Sequence, residues 1–470
     1  VLFKYEKTGV SVTVDAADDV VIAGDVTGDD VIIKNNDSNA ADDVDVSGST
    51  ITGSEVLGNI EATNGLEKDG SGRLVVQGEN IDYTAETTIS GGELLIEDDN
   101  PSNLKTTGFN GGTAATGGRV VIQPTETVDD FTGNFSTSGL TFGTKLTGVR
   151  IGKTDADNAI DGRSSEITVA SAIDIATGAV EVFGGSIDLN ANLGSDATTG
   201  TGIDLQANEI VQANGLSVTT QGANVNYTVH AGKDTYAMRI GESASGSTTT
   251  IDAGGGDITL TSTAGSGKNV RRAIQLLSAD LVTTSGAVSV TGDATLSGIT
   301  SSNAWGIQVY NTDIETDSGS ITLTGTGGRD ARDSRGIVAQ NTDFRLLSDT
   351  GAITLIDAEA TSGGSDGNRE YKGLWLAPDS DGDIVLGADG TDVTSASGDI
   401  TIQADKLQAN DHTVSAQSTG ALVVESAGSD FLGDSSTINI EATGNHFSSI
   451  RLGKSGNTGE LTSNAELTAD

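Results

Sequence analysis

Cysteine is absent from this chain, proline occurs 3 times and methionine once in 470 residues. Without cysteine there is no disulfide framework, no thiol nucleophile and no thiolate metal site. Aromatic residues make up 4% and apolar residues 35%, too few bulky side chains to fill one large globular core. The Val, Ile, Leu and Ala must therefore be buried in a narrow cross-section that repeats. Basic residues are scarce as well: 25 Lys and Arg stand against 67 Asp and Glu, a formal charge of −42. Phosphate binding rests on a basic surface and counterion release, so nucleic acid is not expected as a partner, nor is adhesion to anionic membranes by charge. No stretch approaches the ~20 apolar residues of a membrane helix, so direct membrane insertion of this segment is not expected. Val1-Leu2-Phe3-Lys4-Tyr5 does not resemble a secretion signal, and a signal or anchor is expected to lie outside the chain.

Glycine, with 64 residues, and repetition are what the chain has in abundance. One phrase reads Ala237-Met238-Arg239-Ile240, Ala273-Ile274-Gln275-Leu276, Gly306-Ile307-Gln308-Val309, Gly336-Ile337-Val338-Ala339 and Gly373-Leu374-Trp375-Leu376. A second begins at Gly256, Gly286, Gly319, Gly351 and Gly382, as in Gly319-Ser320-Ile321-Thr322-Leu323. Apolar residues alternate with polar or small ones, the period of a strand with one buried face, and β-branched residues dominate. The stretch Ile274 to Val282 is the one helix candidate, and because Ile274 fills a repeat phrase it reads as strand.

Short strands, few helical signals and a period near 32 residues point to a propeller or a parallel β-helix. The blade signature of a propeller is missing, so the expected fold is all-β: a single-stranded parallel β-helix with about three short strands per ~30-residue coil and little or no α-helix. In residues 306–335 the three strands are expected at Gly306 to Tyr310, Thr312 to Glu315 and Ser320 to Gly325. Gly327 to Arg335 is then an outward loop, equivalent to Gly265 to Arg272 and Ser362 to Lys372. Roughly 15 coils at a rise of about 4.8 Å would span on the order of 70 to 80 Å.

A longer echo overlies the coils. Gly148-Val149-Arg150-Ile151-Gly152-Lys153-Thr154 returns as Ala237-Met238-Arg239-Ile240-Gly241-Glu242-Ser243 and, about 300 residues after its first appearance, as Ser449-Ile450-Arg451-Leu452-Gly453-Lys454-Ser455. Asp130-Phe131-Thr132-Gly133 returns at a similar offset as Asp430-Phe431-Leu432-Gly433. The organisation expected is N-terminal coils over 1–130, one super-repeat block over 131–430, and over 431–470 the start of a second, as in a segment of a longer repetitive protein.

Residues 65–96 contain Leu66, Lys68, Gly70, Gly72 and Leu74, then Gly78, Asn80 and Tyr83, then Thr87, Ile89, Gly92 and Leu94. This pattern resembles the autotransporter-associated β-strand repeat, with Ala85 where a Gly usually follows the Tyr. The remaining repeats look like those of filamentous-haemagglutinin-like and autotransporter-type bacterial surface proteins. The resemblance implies a right-handed β-helix passenger, secreted and held at the cell surface through parts outside this chain. It implies adhesion, surface coating or a matrix role.

Catalytic chemistry has little to draw on. His230, His412 and His446 share no repeat phase, and no catalytic, cofactor-binding or metal residue is assigned. A Ca²⁺ site at acidic turns is the one cofactor considered, best at Asp379-Ser380-Asp381-Gly382-Asp383, where alternating carboxylates flank a Gly turn. Asp155-Ala156-Asp157-Asn158 and the run from Asp37 to Asp45 are looser versions. The position an EF-hand fills with Glu is Gly390, so that module is absent. Trp305 and Trp375 flank repeat phrases, where each would cover a loop or stack on a sugar. The function expected is a non-enzymatic extracellular β-solenoid acting as adhesin, stalk or coat. Its partners would be a host or neighbouring-cell surface, glycans, or copies of itself through open coil ends. The alternatives are a self-assembling subunit of a filament or matrix layer, and a polysaccharide-active β-helix enzyme.

Overall fold

In the computed structural model the described residues are 86–454, interrupted at 101–103, 105, 113–116, 126–127, 155–159, 234, 244–245, 300–302, 330, 332, 341–342, 359–371, 378–382, 389–395, 409–413, 428–435, 439 and 442–446. Outside that stretch the strands Leu2–Phe3, Val12–Ala16, Val21–Ile22, Val26–Gly28, Val31–Asn35, Val44–Asp45, Ile60–Ala62, Leu66–Asp69, Arg73–Gln77 and Leu461–Ser463 are described. The fold is almost entirely β. A single 3-10 turn, Ile160–Gly162, is the helical element among the described residues. The chain divides into two compact units, Val1–Leu205 and Gln206–Asp470.

In the first unit one parallel sheet runs Val12–Ala16, Val31–Asn35, Leu66–Asp69, Thr87–Ile89, Gly108–Asn110 and Thr141–Phe142. A second runs Val44–Asp45, Arg73–Gln77, Glu93–Glu97, Arg119–Gln123, Gly148–Ile151 and Val180–Phe183. Neighbouring strands here start anywhere from about 19 to 35 residues apart, so the repeat is less regular at this end than the ~30 residues expected. Pairing requires only that each strand reach its neighbour, and connecting loops change length at small entropic cost.

In the second unit one sheet stacks Asn224–Gly232, Ile258–Ala264, Val288–Asp293, Ile321–Thr326, Ile353–Ala358, Ile400–Gln403, Ala421–Glu425 and Ser449–Leu452. The repeat phrases pair in register: Ile258 with Val288, Val288 with Ile321, Ile321 with Ile353. Their side chains are fully or almost fully buried, while the alternating Thr259, Thr322 and Thr354 are half-buried on the other face. Each such apolar side chain withdrawn from water contributes about 1.5–3 kcal/mol, which makes these columns the main source of cohesion.

The fifth member of this series differs from the sequence expectation. Ile384 to Leu386 does not pair with Ile353; it lies in the other sheet, with Ile384 opposite Phe344. The place beside Ile353 is taken by Ile400 of Gly398-Asp399-Ile400-Thr401-Ile402, which carries the same Gly-Asp-Ile phrase. What selects Ile400 is the corner before it. Gly256, Gly286, Gly319, Gly351 and Gly398 form a column in which a side chain on any later member would collide with the carbonyl of the glycine before it. A hydroxyl three residues upstream fastens several of these corners: the Gly319 amide donates to Thr316 Oγ1 at 2.9 Å and the Gly351 amide to Ser348 Oγ at 2.9 Å. Both hydroxyls in turn reach the preceding glycine carbonyl, at 3.3 and 3.1 Å.

The second sheet of this unit carries the other phrase, with Met238 opposite Ile274, Ile274 opposite Ile307 and Ile307 opposite Ile337. The helix candidate is strand throughout, within Arg272–Thr283. The two short strands expected at 306–315 are one element, Trp305–Thr316, bent at Asn311, whose φ is 48°. Ser278 takes the same left-handed conformation at φ 46° one strand earlier, and Asn311 Nδ2 donates to its hydroxyl at 3.4 Å. Polar residues with short side chains tolerate this backbone best, so the bend is made without an intervening loop.

Candidate functional site

Several polar side chains in the described core serve the corners, among them Thr283, Thr316, Ser348 and Ser418. The described arginines and aromatics stand apart, because register gathers several of them on one stripe of the second unit. Tyr236 is opposite Arg272, and Arg272 opposite Trp305. On the next row Arg239 is opposite Gln275, Gln275 opposite Gln308, Val338 opposite Trp375 and Trp375 opposite Gln408.

Guanidinium groups lie over the rings. Arg239 sits 5.4 Å and Arg272 5.7 Å from the Tyr236 centroid, Arg272 4.5 Å from Trp305, and Arg335 3.9 Å from Trp375. The amides bind the same cations: Arg272 Nε donates to Gln308 Oε1 at 2.6 Å, and Gln275 Nε2 donates to the same oxygen at 2.8 Å. Arg335 donates to Asp333 at 2.8 Å and to Gln408 Oε1 at 3.2 Å. Burial lowers the pKa of Arg272 from its ordinary value; Arg271 lowers it further, while Tyr236, Tyr310 and Asp333 oppose the shift. A guanidinium so far above neutral stays charged, so the stack is cationic at physiological pH.

Trp305, at 3% exposure, is thus a covering residue beneath Arg272. Its neighbour in sequence Ala304 packs with Ala273, Ala294 and Ile299 in a small cluster of its own. Trp375 is half-buried and has Arg335 against its ring. The stripe is a set of cation–π and amide contacts, each worth about 0.5–2 kcal/mol, in which Trp305 Nε1 and Arg239 Nε are buried without a hydrogen-bond partner among the described residues.

Carboxylates also line up. Asp280 is opposite Asp313, and Asp313 opposite Arg345, whose Nε donates to Asp313 Oδ1 at 2.8 Å. Asp280 therefore titrates above its ordinary value, chiefly through burial and then through the charge on Asp313, with Arg345 opposing and Glu315 adding. No nucleophile with an adjacent base is formed here. Nor does any group of three or more His, Asp or Glu side chains placed to hold a metal occur among the described residues. His230 is half-buried, and its Nε2 lies 3.2 Å from Gln206 Oε1. His412, His446, Asp379, Asp381, Asp155 and Asp157 lie outside the described residues. Asp383 is described: its backbone amide donates to Asp343 Oδ1 at 3.0 Å.

In the first unit the outward face of the first sheet opens into a groove of about 570 Å³. Thr88, Ser90, Asn110, Thr144 and Lys145 supply its side chains, with Gly111, Gly112 and Gly143 between them. Nothing in the local sequence marks it, because the lining comes from two strand residues, Thr88 and Asn110, and from the turns that follow three separate strands. The stripe was half legible: Trp305 and Trp375 stand out in composition, but their arginines become visible only once register is known.

No family model matches the chain, and neither a curated protein nor a solved structure is significantly similar to it.

Proposed function

We propose that this chain is part of a large repetitive bacterial surface protein, wound as a right-handed parallel β-helix, and that it works without catalysis as a secreted stalk, coat or adhesin at the cell surface. The observation that carries the reading is the in-register pairing of like residues at a recurrent interval, Ile on Ile and Gly on Gly, with the length variation placed in the connections. A right-handed sense follows from the strong preference of parallel strand-to-strand crossovers for that hand. Stacked units of this kind contact only their neighbours, so length is gained without a larger core, which suits an object that holds a contact surface away from a cell. The resemblance of residues 65–96 to the autotransporter-associated repeat supports the same reading. Strands Leu66–Asp69, Arg73–Gln77, Thr87–Ile89 and Glu93–Glu97 fall on its apolar positions.

Electron microscopy of the purified protein tests the form: discrete rods of uniform width are expected, whereas ordered fibres would favour the filament subunit. Display on a non-adherent bacterium tests the role, with increased attachment to glycan-bearing cells expected. Depolymerisation of acidic polysaccharide by the purified protein would replace this reading with an enzymatic one.

A further inference from the structure

The groove in the first unit has a chemistry unlike the rest of the surface. The protein carries a formal charge of −42, yet no carboxylate is among the groove's lining residues, which include one ammonium group, Lys145. Lys145 is exposed and has no ion pair or side-chain hydrogen bond among the described residues. Lys153, by contrast, is held by the carbonyls of Thr125 and Val128, the second at 2.7 Å.

The remaining lining is made for a polyhydroxylated ligand. Thr88 and Asn110 are opposite one another on adjacent strands. The Asn110 side-chain oxygen accepts from the Gly112 amide at 2.7 Å, which fixes the amide group and leaves its NH₂ as the donor presented to a ligand. Thr88 and Thr144 add hydroxyls, which donate or accept as a sugar requires. The three glycines place no side chain in the groove, and its volume of about 570 Å³ lies within the range of small-molecule sites.

We propose that this groove binds a carboxylated sugar, a uronic acid unit or a short oligosaccharide containing one, with the carboxylate on Lys145 and ring hydroxyls on Asn110, Thr88 and Thr144. The proposal rests on the adhesive reading for its biological use, but the site is tested on the soluble protein. Sugar binding without surface attachment, or attachment without sugar binding, would separate the two.

The experiment is calorimetric titration of the whole chain with galacturonate trimer and with its methyl ester, in which each charge is replaced by a neutral ester. Binding of the acid form at least tenfold tighter than the ester is expected. Lys145→Gln is expected to abolish that preference and Lys145→Arg to keep it. Thr144→Trp, at an exposed position, is expected to block both ligands by bulk while circular dichroism stays unchanged. Equal affinity for acid and ester, binding indifferent to both Lys145→Gln and Thr144→Trp, or no heat with either ligand at millimolar concentration would each overturn the proposal. Competition by acetate as effective as that by the trimer would do so too, since it would reduce the site to a simple anion contact.

Discussion

Arg119 reaches across the strand that carries Gly148 and pairs with Glu181 two strands away, while its other amino group holds Glu93 at 3.2 Å on the opposite side. The span exists because Gly148, directly opposite Arg119, has no side chain: a Cβ there would lie 3.0 Å from Arg119 Cγ and 3.3 Å from its Nε. One guanidinium thus ties three rungs of the first unit. Gly148→Val is expected to displace it and lower stability by about 1–3 kcal/mol through overpacking. Glu181→Gln, which removes one partly exposed pair, should cost no more than about 1 kcal/mol. Thermal denaturation of the two variants measures the ranking, and a larger loss in Glu181→Gln would contradict it.

Ile307 is fully buried between Ile274 and Ile337 in its column. Truncation to Ala leaves a cavity that neighbours on both sides are too tightly paired to close, and a loss of about 2–5 kcal/mol is expected. Thr322, on the outward face of the other sheet, should tolerate Ala within about 0.5 kcal/mol. Urea unfolding of both proteins compares the buried and outward faces directly.

Arg335 is 5% exposed, stacks on Trp375, and is paired with Asp333. Replacement by Leu leaves Asp333 and Gln408 without their donor, and a loss of about 1–3 kcal/mol is expected. The emission of Trp375 should change as well, because its ring loses the stacked cation. Trp305, the only other tryptophan, is covered by Arg272 and keeps its surroundings, so the difference spectrum reports Trp375. Unchanged fluorescence would mean that the stack is not populated in solution.

Tyr227 is fully buried, and its hydroxyl donates to Gln212 Oε1 at 3.0 Å. Burial pushes its pKa well above the ordinary tyrosine value. The folded protein therefore keeps this proton at a pH where the unfolded chain, titrating near pH ~10, releases it. The folded state then binds more protons than the unfolded one, so stability falls as pH rises through about 10, and below that the group contributes no pH dependence. Tyr227→Phe should lose stability at neutral pH through the stranded Gln212, by about 1–3 kcal/mol, but decline less steeply between about pH 9 and 11. Denaturant midpoints at the two pH values give the comparison.

Much of the fold is legible in the sequence, and the reason is local. Ile321, Leu323 and their counterparts mark strands because a half-buried strand demands alternation, and Ile274 falls in a strand as its place in a repeat phrase predicts. The echoed phrase also has a structural meaning. Gly152, Gly241 and Gly453 all have positive φ, at 87°, 78° and 83°, and each donates its amide to the strand before it. Arg150 and Arg451 each reach a polar residue two places along the preceding strand, Gln123 at 2.9 Å and Glu425 at 2.9 Å. The sequence misassigned Ile384 because two Gly-Asp-Ile phrases compete for one place, and alternation cannot rank them. A hydroxyl placed three residues before the glycine, as in Thr316 and Ser348, would have revealed the corner.

By itself, then, the sequence determined which residues are strand, which face of each strand is buried, and that the units repeat, because these depend on the chemistry of neighbours within a few positions. Tertiary structure decided which strand lies beside which, and with that every feature built across strands: the Arg272 and Trp305 stack, the reach of Arg119 over Gly148, and the groove that ends at Lys145. Those contacts join residues about 20 to 60 positions apart, and their geometry depends on loop lengths that pairing leaves free to vary.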